Sequence, residues 1–486
     1  MPEVQDIITL LPSPPKKDVD LIIDAYNFAQ KAHDGQTRKS GEPYFIHVFH
    51  TAKYLAELGM SPTVIAAGFL HDVLEDTDTT EKEMQDAFGE EIVGLVKSVT
   101  KLGTVKYKGI ERNVENLRKF FISIADDFRV IIIKLADRLH NAETLQYVRP
   151  DKQRRIALET LEIYAPLANR LSLGKFRGRL EDAAFPYAYP KEYKATKEIM
   201  DARKESDEQN LQEFERILRE KLEEEKIKTI QVDYRTKHLY SLWNKLKKYN
   251  GDMTRIYDVI ALRVIVKNVE DCYAVLGVIH SNWKPLPGRI KDYIALPKPN
   301  GYQSLHTTIL TRRSGIIEVQ IRTEEMHIEA EYGIAAHFAY KEKLKVEKKD
   351  LRKEYEWIDE LKHLQYNNDS KAFLENIKGD FFKSRVFVFT PKGDVIDLPE
   401  GATVIDFAYH VHTDIGDHAQ GGKINGKFSP LHAVLHNGDI CEIVVNKQSK
   451  PSQKWIEHAK TMMARNKIQK HFKNESLLDK FKKYLR

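Results

Sequence analysis

His71 and Asp72 stand side by side in FLHDVLEDT, and each is followed four residues later by a second acid, Glu75 after His71 and Asp76 after Asp72. On one helix that spacing stacks the two pairs a turn apart on adjoining faces. Acids so placed are costly to bury unless a cation or a reacting water shares the site. Further on, KLADRLHNAETL sets Asp137, Asn141 and Thr144 at i, i+4 and i+7 on one helical face, with Leu135 and Leu139 as apolar anchors. His47, in PYFIHVFH, is another imidazole that only the fold could bring in. Two imidazoles and two carboxylates suit a divalent cation of intermediate softness, manganese or iron, with positions left for water and phosphate. Such a cation lowers the pKa of its bound water, and Glu75 and Asp76 would orient that nucleophile or shuttle its proton. A lone histidine on an apolar helix is ordinarily structural. The acid pair, His47 and LADRLHN together stand against that reading here.

A second set follows in YRTKHLYSLWNKLKKY. Lys237, Ser241, Lys245 and Lys248 lie along one helical face and Leu239, Leu242 and Leu246 along the other. Ammonium donors with a hydroxyl can follow a polyphosphate, although the same helix taken alone is also an ordinary amphipathic one with solvated lysines. The strand IIEVQIRT weighs for chemistry. Its alternation puts Glu318, Gln320 and Arg322 on one face and Ile317, Val319 and Ile321 on the other. Asp258, opening DVIALRVIVK, is a candidate second acid whose facing the pattern leaves open. Two carboxylates can share Mg2+ on nucleotide phosphates, and one can take the proton of an attacking hydroxyl. The loop YIALPKPNGYQSLHTT adds Lys298, Asn300, Tyr302 and His306, and a purine can stack on Tyr302.

The elements that must position these residues change character along the chain. Its 486 residues imply roughly two to four domains. With 42% hydrophobic and 31% charged residues there is material for several cores. Cys272 and Cys441 alone exclude a disulfide framework and a cysteine-rich zinc ribbon. The apolar run Val130–Ile133 stops at Lys134, far short of the ~18 residues of a membrane span, and MPEVQD lacks a basic-then-apolar leader, so a soluble cytoplasmic protein without membrane partners is expected. Net charge is +5, yet residues 447–486 hold 12 Lys/Arg against 3 Asp/Glu and residues 1–446 hold 65 against 69. A basic end of that kind fits a segment touching RNA or another polyanion, and fits a solvated surface helix as well. Residues 1–20 read as a lead-in with Pro12, Pro14 and Pro15, and 21–195 as helical throughout. Residues 196–345 read as α+β, opening on a charged helix to Lys228, and 346–383 as a charged helical connector. VFVFTPKGDVIDLP and GDICEIVV mark a small domain of β-grasp size over 384–446, followed by a basic helical tail, 447–486.

The first set resembles the HD metal-dependent phosphohydrolases. The words GQTRKSGEPYFIH, AAGFLHDVLEDT, VTKLG and IKLADRLHNAETL narrow the likeness to the RelA/SpoT homologue family, the long enzymes that make and degrade the alarmone (p)ppGpp. That resemblance implies His47, His71, Asp72 and Asp137 as Mn2+ ligands, Glu75 and Asp76 as catalytic acids, and Arg38, Lys39, Asn141 and Thr144 as nucleotide contacts. The HD and ED pairs, lost in members with a dead hydrolase, are both present, which implies live hydrolysis of the 3′-pyrophosphate. Residues 235–341 resemble the family's synthetase. By that likeness Arg235, Lys237, Ser241 and Lys245 bind the ATP phosphates and Asp258 binds Mg2+. Glu318 would activate the ribose 3′-OH of GDP or GTP, and Tyr302 would stack on the guanine amid Lys291, Lys298, Asn300 and His306. The implied reaction is pyrophosphoryl transfer from ATP, releasing AMP, which asks for positioning and charge neutralisation more than covalent help. GRIKD (288–292) is the basic version of a motif that in the family accompanies bifunctionality and a preference for GDP.

Residues 384–446 resemble a TGS domain, which implies recognition of deacylated tRNA on the ribosome through His412. WIEHAKTMMARNKIQKHFK resembles the start of the family's next helical region, and its charge would make RNA binding salt-sensitive. Beyond about Phe472 the likeness stops, without the zinc and ACT-type modules of the long pattern, as expected of a truncated or naturally short member. The expected architecture is therefore multidomain: an all-α HD hydrolase domain, an α+β nucleotidyltransferase-like synthetase domain, a small β-grasp TGS domain and a basic helical tail. The expected protein is a bifunctional (p)ppGpp synthetase/hydrolase acting on ATP, GDP/GTP and (p)ppGpp, with Mn2+ and Mg2+ as cofactors. Its two reactions would alternate under control of the charged helices between modules. Two other classes remain: a regulatory tRNA- or ribosome-binding protein with a decayed site, and an HD phosphohydrolase of another nucleotide.

Overall fold

Phe45, Val48, Phe49, Ala52 and Leu55 recur at helical spacing, and all are buried on the Phe45–Glu57 helix. In the computed structural model, which describes residues 2–103, 127–253, 256, 259–298, 300–311, 315–335, 385–436 and 438–472, that helix packs against the Pro62–Leu70 and Arg129–Glu143 helices. Aromatic edges seal the core: Tyr26 meets Phe45 at 4.9 Å and Phe69 at 5.8 Å. Pro62 and Pro150 each open a helix, where the missing N–H breaks no ladder bond.

FLHDVLEDT departs from the expected single helix. The ladder ends at Leu70, His71 and Asp72 form a turn, and a short helix resumes over Val73–Asp76. The cause is local. His71 Nδ1 donates to the Gly68 carbonyl at 2.8 Å, the acceptor that the Asp72 N–H would use in an unbroken helix.

The charged stretch forms one 35-residue helix, Pro190–Glu224, that runs through the boundary expected at 195. Its apolar stripe, Leu211, Phe214, Leu218 and Leu222, joins the core beneath a six-stranded sheet. The strands are β1 (Thr229–Thr236), β2 (Ile260–Val266), β3 (Lys284–Pro285), β4 (Lys291–Asp292), β5 (Leu305–Thr311) and β6 (Gly315–Thr323). Their order is β1-β2-β6-β5-β3 with β4 on β5, and β2 runs parallel to β6. Leu262, Val264, Val319 and Ile321 face the apolar core with Cys272, Val275 and Ile279 of the Val269–Asn282 helix. The opposite face is polar in register: Asp233 pairs with Arg263, Arg263 with Gln320, and Gln320 with His306. One pleat along, Arg235 pairs with Ala261, Ala261 with Glu318, and Glu318 with Thr308.

Within the same unit the Gly174–Ala188 helix lies against the synthetase-like part. The His238 ring occupies the space above Gly178, where an added Cβ would come within 2.0 Å of His238 Nε2. Gly333, at φ 49°, fits against the Leu171 carbonyl as only glycine can.

The second unit holds a β7–β8 ladder (Arg385–Phe389, Val395–Pro399) and a β10-β9-β11 sheet (Lys427–Ser429, Ala419–Ile424, Cys441–Val445). Its core is Val388, Leu398, Val404, Phe407, Leu435 and Cys441. Thr403 and Asp406 make a capping box on the Val404–Val411 helix. The buried Asp406 carboxylate also accepts from the N–H groups of Lys460 and Thr461 and from the Thr461 hydroxyl, which binds the segment after the sheet to this unit. The connector 346–383, tail residues 473–486 and Asp258 lie outside the described residues. Among the described residues no helix is long and apolar enough to cross a membrane.

Candidate active sites

Three elements bring the first set together. His47 comes from the Phe45–Glu57 helix, His71 and Asp72 from the broken turn, and Asp137 from the Arg129–Glu143 helix. Ligand atoms of His47, His71 and Asp137 lie within 4.8 Å of one another, all three residues buried. Asp72 Oδ2 is 3.5 Å from His47 Nε2 and 3.2 Å from His71 Nε2, and Asp137 Oδ1 is 3.2 Å from His47 Nε2.

The hydrogen bonds fix both tautomers. The Gly68 carbonyl can only accept, so His71 carries its proton on Nδ1. His140 Nδ1 takes an N–H from Arg38 at 2.9 Å, so it is an acceptor, and His47 Nδ1, 2.9 Å away, donates to it as well. In the neutral rings both Nε2 lone pairs would therefore face carboxylate oxygens. His71 Nε2 is buried without a hydrogen-bond partner. Opposed lone pairs of this kind are relieved by a proton or a cation between them, and the donor set fits a divalent metal. Burial pushes the His71 imidazolium down, but Asp72 and Asp137 outweigh it and raise its pKa to about 9. Against burial, the histidines hold Asp72, and Lys134 with the histidines holds Asp137, well below the usual carboxylate range.

Around the cluster stand the expected nucleotide contacts. Arg38 Nη2 donates to Asn141 Oδ1 at 2.5 Å, and Asn141 Nδ2 donates to Asp137 Oδ1 at 2.5 Å, so Arg38 is tied to the cluster twice, through Asn141 and through His140. Lys39 is exposed, and the Thr144 hydroxyl donates to the His140 carbonyl. Glu75 sits at the rim with its pKa raised by partial burial and by Asp72. Asp76 is also at the rim, 2.7 Å from the Tyr44 hydroxyl.

Sequence reasoning passed over Lys134, whose Nζ donates to Asp137 Oδ2 at 2.6 Å, and His140, held neutral with its pKa lowered to about 2 by burial and by His47 and Arg38. Both lie three residues from Asp137 on the same helix, a spacing that signals contact.

The second set gathers on the polar sheet face. Glu318 Oε1 accepts from Gln320 Nε2 at 3.1 Å and lies 3.4 Å from His306 Nδ1, while Arg235 Nη1 donates to Gln320 Oε1 at 3.1 Å. Tyr302 Oη is 2.9 Å from His306 Nε2. Lys298 Nζ lies over two rings, 4.6 Å from the centre of Tyr293 and 4.8 Å from that of Tyr302. Burial, then the charges of Lys291, Arg177 and Arg235, push its pKa down to about 8 against the pull of Glu318. Lys237 and Lys245 are half-buried; Lys245 shares the Leu239–Lys248 helix with Ser241, whereas Lys237 lies between β1 and that helix and not on the helical face expected for it.

The helical module also enters this site, which no local pattern announces. Ser241 Oγ donates to Glu181 Oε2 at 3.1 Å, Arg177 Nε donates to Glu181 Oε1 at 2.8 Å, and Asp182 accepts from His238 Nδ1 and Tyr240 N. Asn300 is likewise held away from a ligand: its Nδ2 donates to the Asn169 carbonyl at 3.3 Å and its own carbonyl accepts from Ser172. In the second unit His412 is exposed and caps the Thr413–Asp417 helix, accepting from Asp414 N at 3.2 Å.

A helical module with a His/Asp cluster of the HD type, an α+β module with a polar sheet floor and a small β module make a multidomain protein with two separate polar centres. Residues 25–174 match the model of the HD domain, 234–345 that of the region found in RelA/SpoT proteins, and 386–445 that of the TGS domain. The chain is 46% identical over 457 residues to the guanosine-3′,5′-bis(diphosphate) 3′-pyrophosphohydrolase of Aquifex aeolicus, covering 93% of this chain and 64% of that one. It is 46% identical over 466 residues to the GTP pyrophosphokinase of Myxococcus xanthus, covering 95% and 61%. To the bifunctional (p)ppGpp synthase/hydrolase SpoT of Escherichia coli K12 it is 42% identical over 462 residues, covering 95% and 66%. The chain belongs to the RelA/SpoT family. It spans less than two thirds of the length of each of these relatives.

Proposed function

We propose that this chain is a bifunctional alarmone enzyme, hydrolysing (p)ppGpp to GDP or GTP plus pyrophosphate at the first site and making (p)ppGpp and AMP from ATP and GDP or GTP at the second. The observation that carries the reading is that one chain holds two distinct centres with complementary chemistry. One is the facing Nε2 and carboxylate cluster, and the other is Glu318 on a cationic sheet floor.

At the first site His47, His71, Asp72 and Asp137 would hold Mn2+, which when bound lowers the pKa of a coordinated water and screens phosphate charge. Arg38, Lys39, Asn141 and Thr144 hold the nucleotide. Glu75, its pKa raised, and Asp76 manage the proton of the attacking water at the rim.

At the second site Arg235, Lys237, Ser241 and Lys245 follow the ATP phosphates, and Asp258 would hold Mg2+. Glu318 takes the proton of the ribose 3′-OH, with His306 and Gln320 fixing its orientation. Guanine stacks on Tyr302, which requires the Lys298 ammonium to leave that ring and pass to phosphate amid Lys291, Asn300 and His306. ATP must likewise take Ser241 from Glu181.

Modules at 21–195 and 196–345 that share the Pro190–Glu224 helix, a third at 384–446, a cytoplasmic location, a lean to GDP from GRIKD, and tRNA or ribosome contact through His412 and the basic tail complete the proposal. The test is a pair of variants. With ATP, GDP and Mg2+, Glu318→Gln should lose synthesis and keep hydrolysis; with ppGpp and Mn2+, Asp72→Ala should lose hydrolysis and keep synthesis. Either variant leaving both reactions intact refutes the assignment.

A further inference from the structure

Asp72 and Asp76 are held by the same hydroxyl. Tyr44 Oη lies 2.9 Å from Asp72 Oδ2 and 2.7 Å from Asp76 Oδ2, so one O–H donates into the gap between a cluster carboxylate and a rim carboxylate. The ring that carries it is fixed on its face. His33 stacks on Tyr44 with centroids 4.8 Å apart and planes 21° apart.

His33 is itself only 2% exposed. Gln36 Nε2 donates to the Asp76 carbonyl at 2.6 Å, which orients the amide so that its Oε1 accepts from His33 Nδ1 at 2.8 Å. The Gln36 carbonyl accepts from Tyr44 N at 2.9 Å, closing the set. Asp76 is thus fastened at its side chain by Tyr44 and at its backbone by Gln36, although it sits exposed on a four-residue helix. Left to itself, an exposed carboxylate at such a place would move among several rotamers.

We infer that Tyr44, clamped by His33 and Gln36, is the positioning residue that sets the Asp76 carboxylate against the cation cluster through Asp72; this rests on the hydrolase reading above. Tyr44 touches no substrate in this role and acts only through the two acids.

Tyr44→Phe removes one oxygen and keeps the stack. In the full chain, Mn2+ binding followed by calorimetry without nucleotide should weaken about tenfold, within the ~10–100-fold that outer hydrogen bonds to metal ligands carry. The kcat of ppGpp hydrolysis should fall about tenfold or more with KM within about twofold, as for a group that acts after binding. His33→Ala should give the same pattern more weakly, and His33→Phe, which keeps a stacked face, should recover most of kcat. Should Tyr44→Phe not fold, the two His33 variants decide by the same kcat-against-KM split. Mn2+ affinity and kcat both within about twofold of wild type overturn the inference, since an outer-shell role predicts more than that. A wild-type chain that binds Mn2+ but leaves ppGpp intact overturns the hydrolase reading instead, and the Mn2+ isotherms of wild type and Tyr44→Phe then decide the role of Tyr44 alone.

Discussion

Lys298 is expected to cost stability in exchange for function, and replacing it with methionine exposes both effects. Its pKa falls from 10.5 to about 8, chiefly through burial and then through neighbouring Lys and Arg charge. A shift of ~2.5 units corresponds to about 3 kcal/mol held against folding at neutral pH. Lys298→Met removes that penalty and also removes two ring contacts worth about 0.5–1 kcal/mol each. Solvent on the open side of a half-buried ammonium reduces the electrostatic part, so a net gain of about 1 kcal/mol is expected. The sign fixes the pH window. Because the folded pKa lies below the unfolded one, the penalty is complete below about 8 and fades as pH rises toward 10.5. Denaturant unfolding followed by the fluorescence of Trp243 and Trp283 should therefore show the variant ahead at about pH 7 and the difference closing by about pH 10. In the same window kcat/KM of the wild type for the acceptor nucleotide should fall above pH 8, about tenfold per unit, and Lys298→Arg, whose charge does not titrate, should abolish that limb. A variant less stable than wild type at neutral pH, or a stability difference that ignores pH, would refute the reasoning.

His140→Ala frees the His47 tautomer and the Arg38 guanidinium together, and Mn2+ affinity by calorimetry should drop about 10–100-fold while synthesis persists. Asp137→Asn leaves the Lys134 ammonium without its counter-charge; thermal unfolding should show a loss of about 3–5 kcal/mol, with hydrolysis abolished. Gly178→Ala drives a methyl into the His238 ring, so that the Asp182 and Glu181 contacts to His238 and Ser241 must shift. Chemical denaturation should reveal about 1–3 kcal/mol of destabilisation, and the KM for ATP should change more than that for ppGpp.

The alternation in IIEVQIRT was legible residue by residue, because a strand assigns faces by a period of two whatever surrounds it, and β6 carries Glu318, Gln320 and Arg322 on the polar side of the sheet as expected. Asp137 and Asn141, one helical turn apart, were legible for the same local reason and are hydrogen-bonded. The break at His71–Asp72 was not, since it depends on a side chain competing with the backbone for the Gly68 carbonyl. Nor did any pattern announce that Tyr44 would bridge two acids, that His140 would set the tautomer of His47, or that Glu181 would hold Ser241 from 60 residues away. The sequence by itself determined which chemical groups exist and which face of its own element each one takes, because propensity and periodicity act over a few residues. Only the tertiary structure decided which faces meet, because packing joins elements far apart in the chain, and it is that meeting that fixes tautomers, shifts pKa values and turns separate side chains into a site.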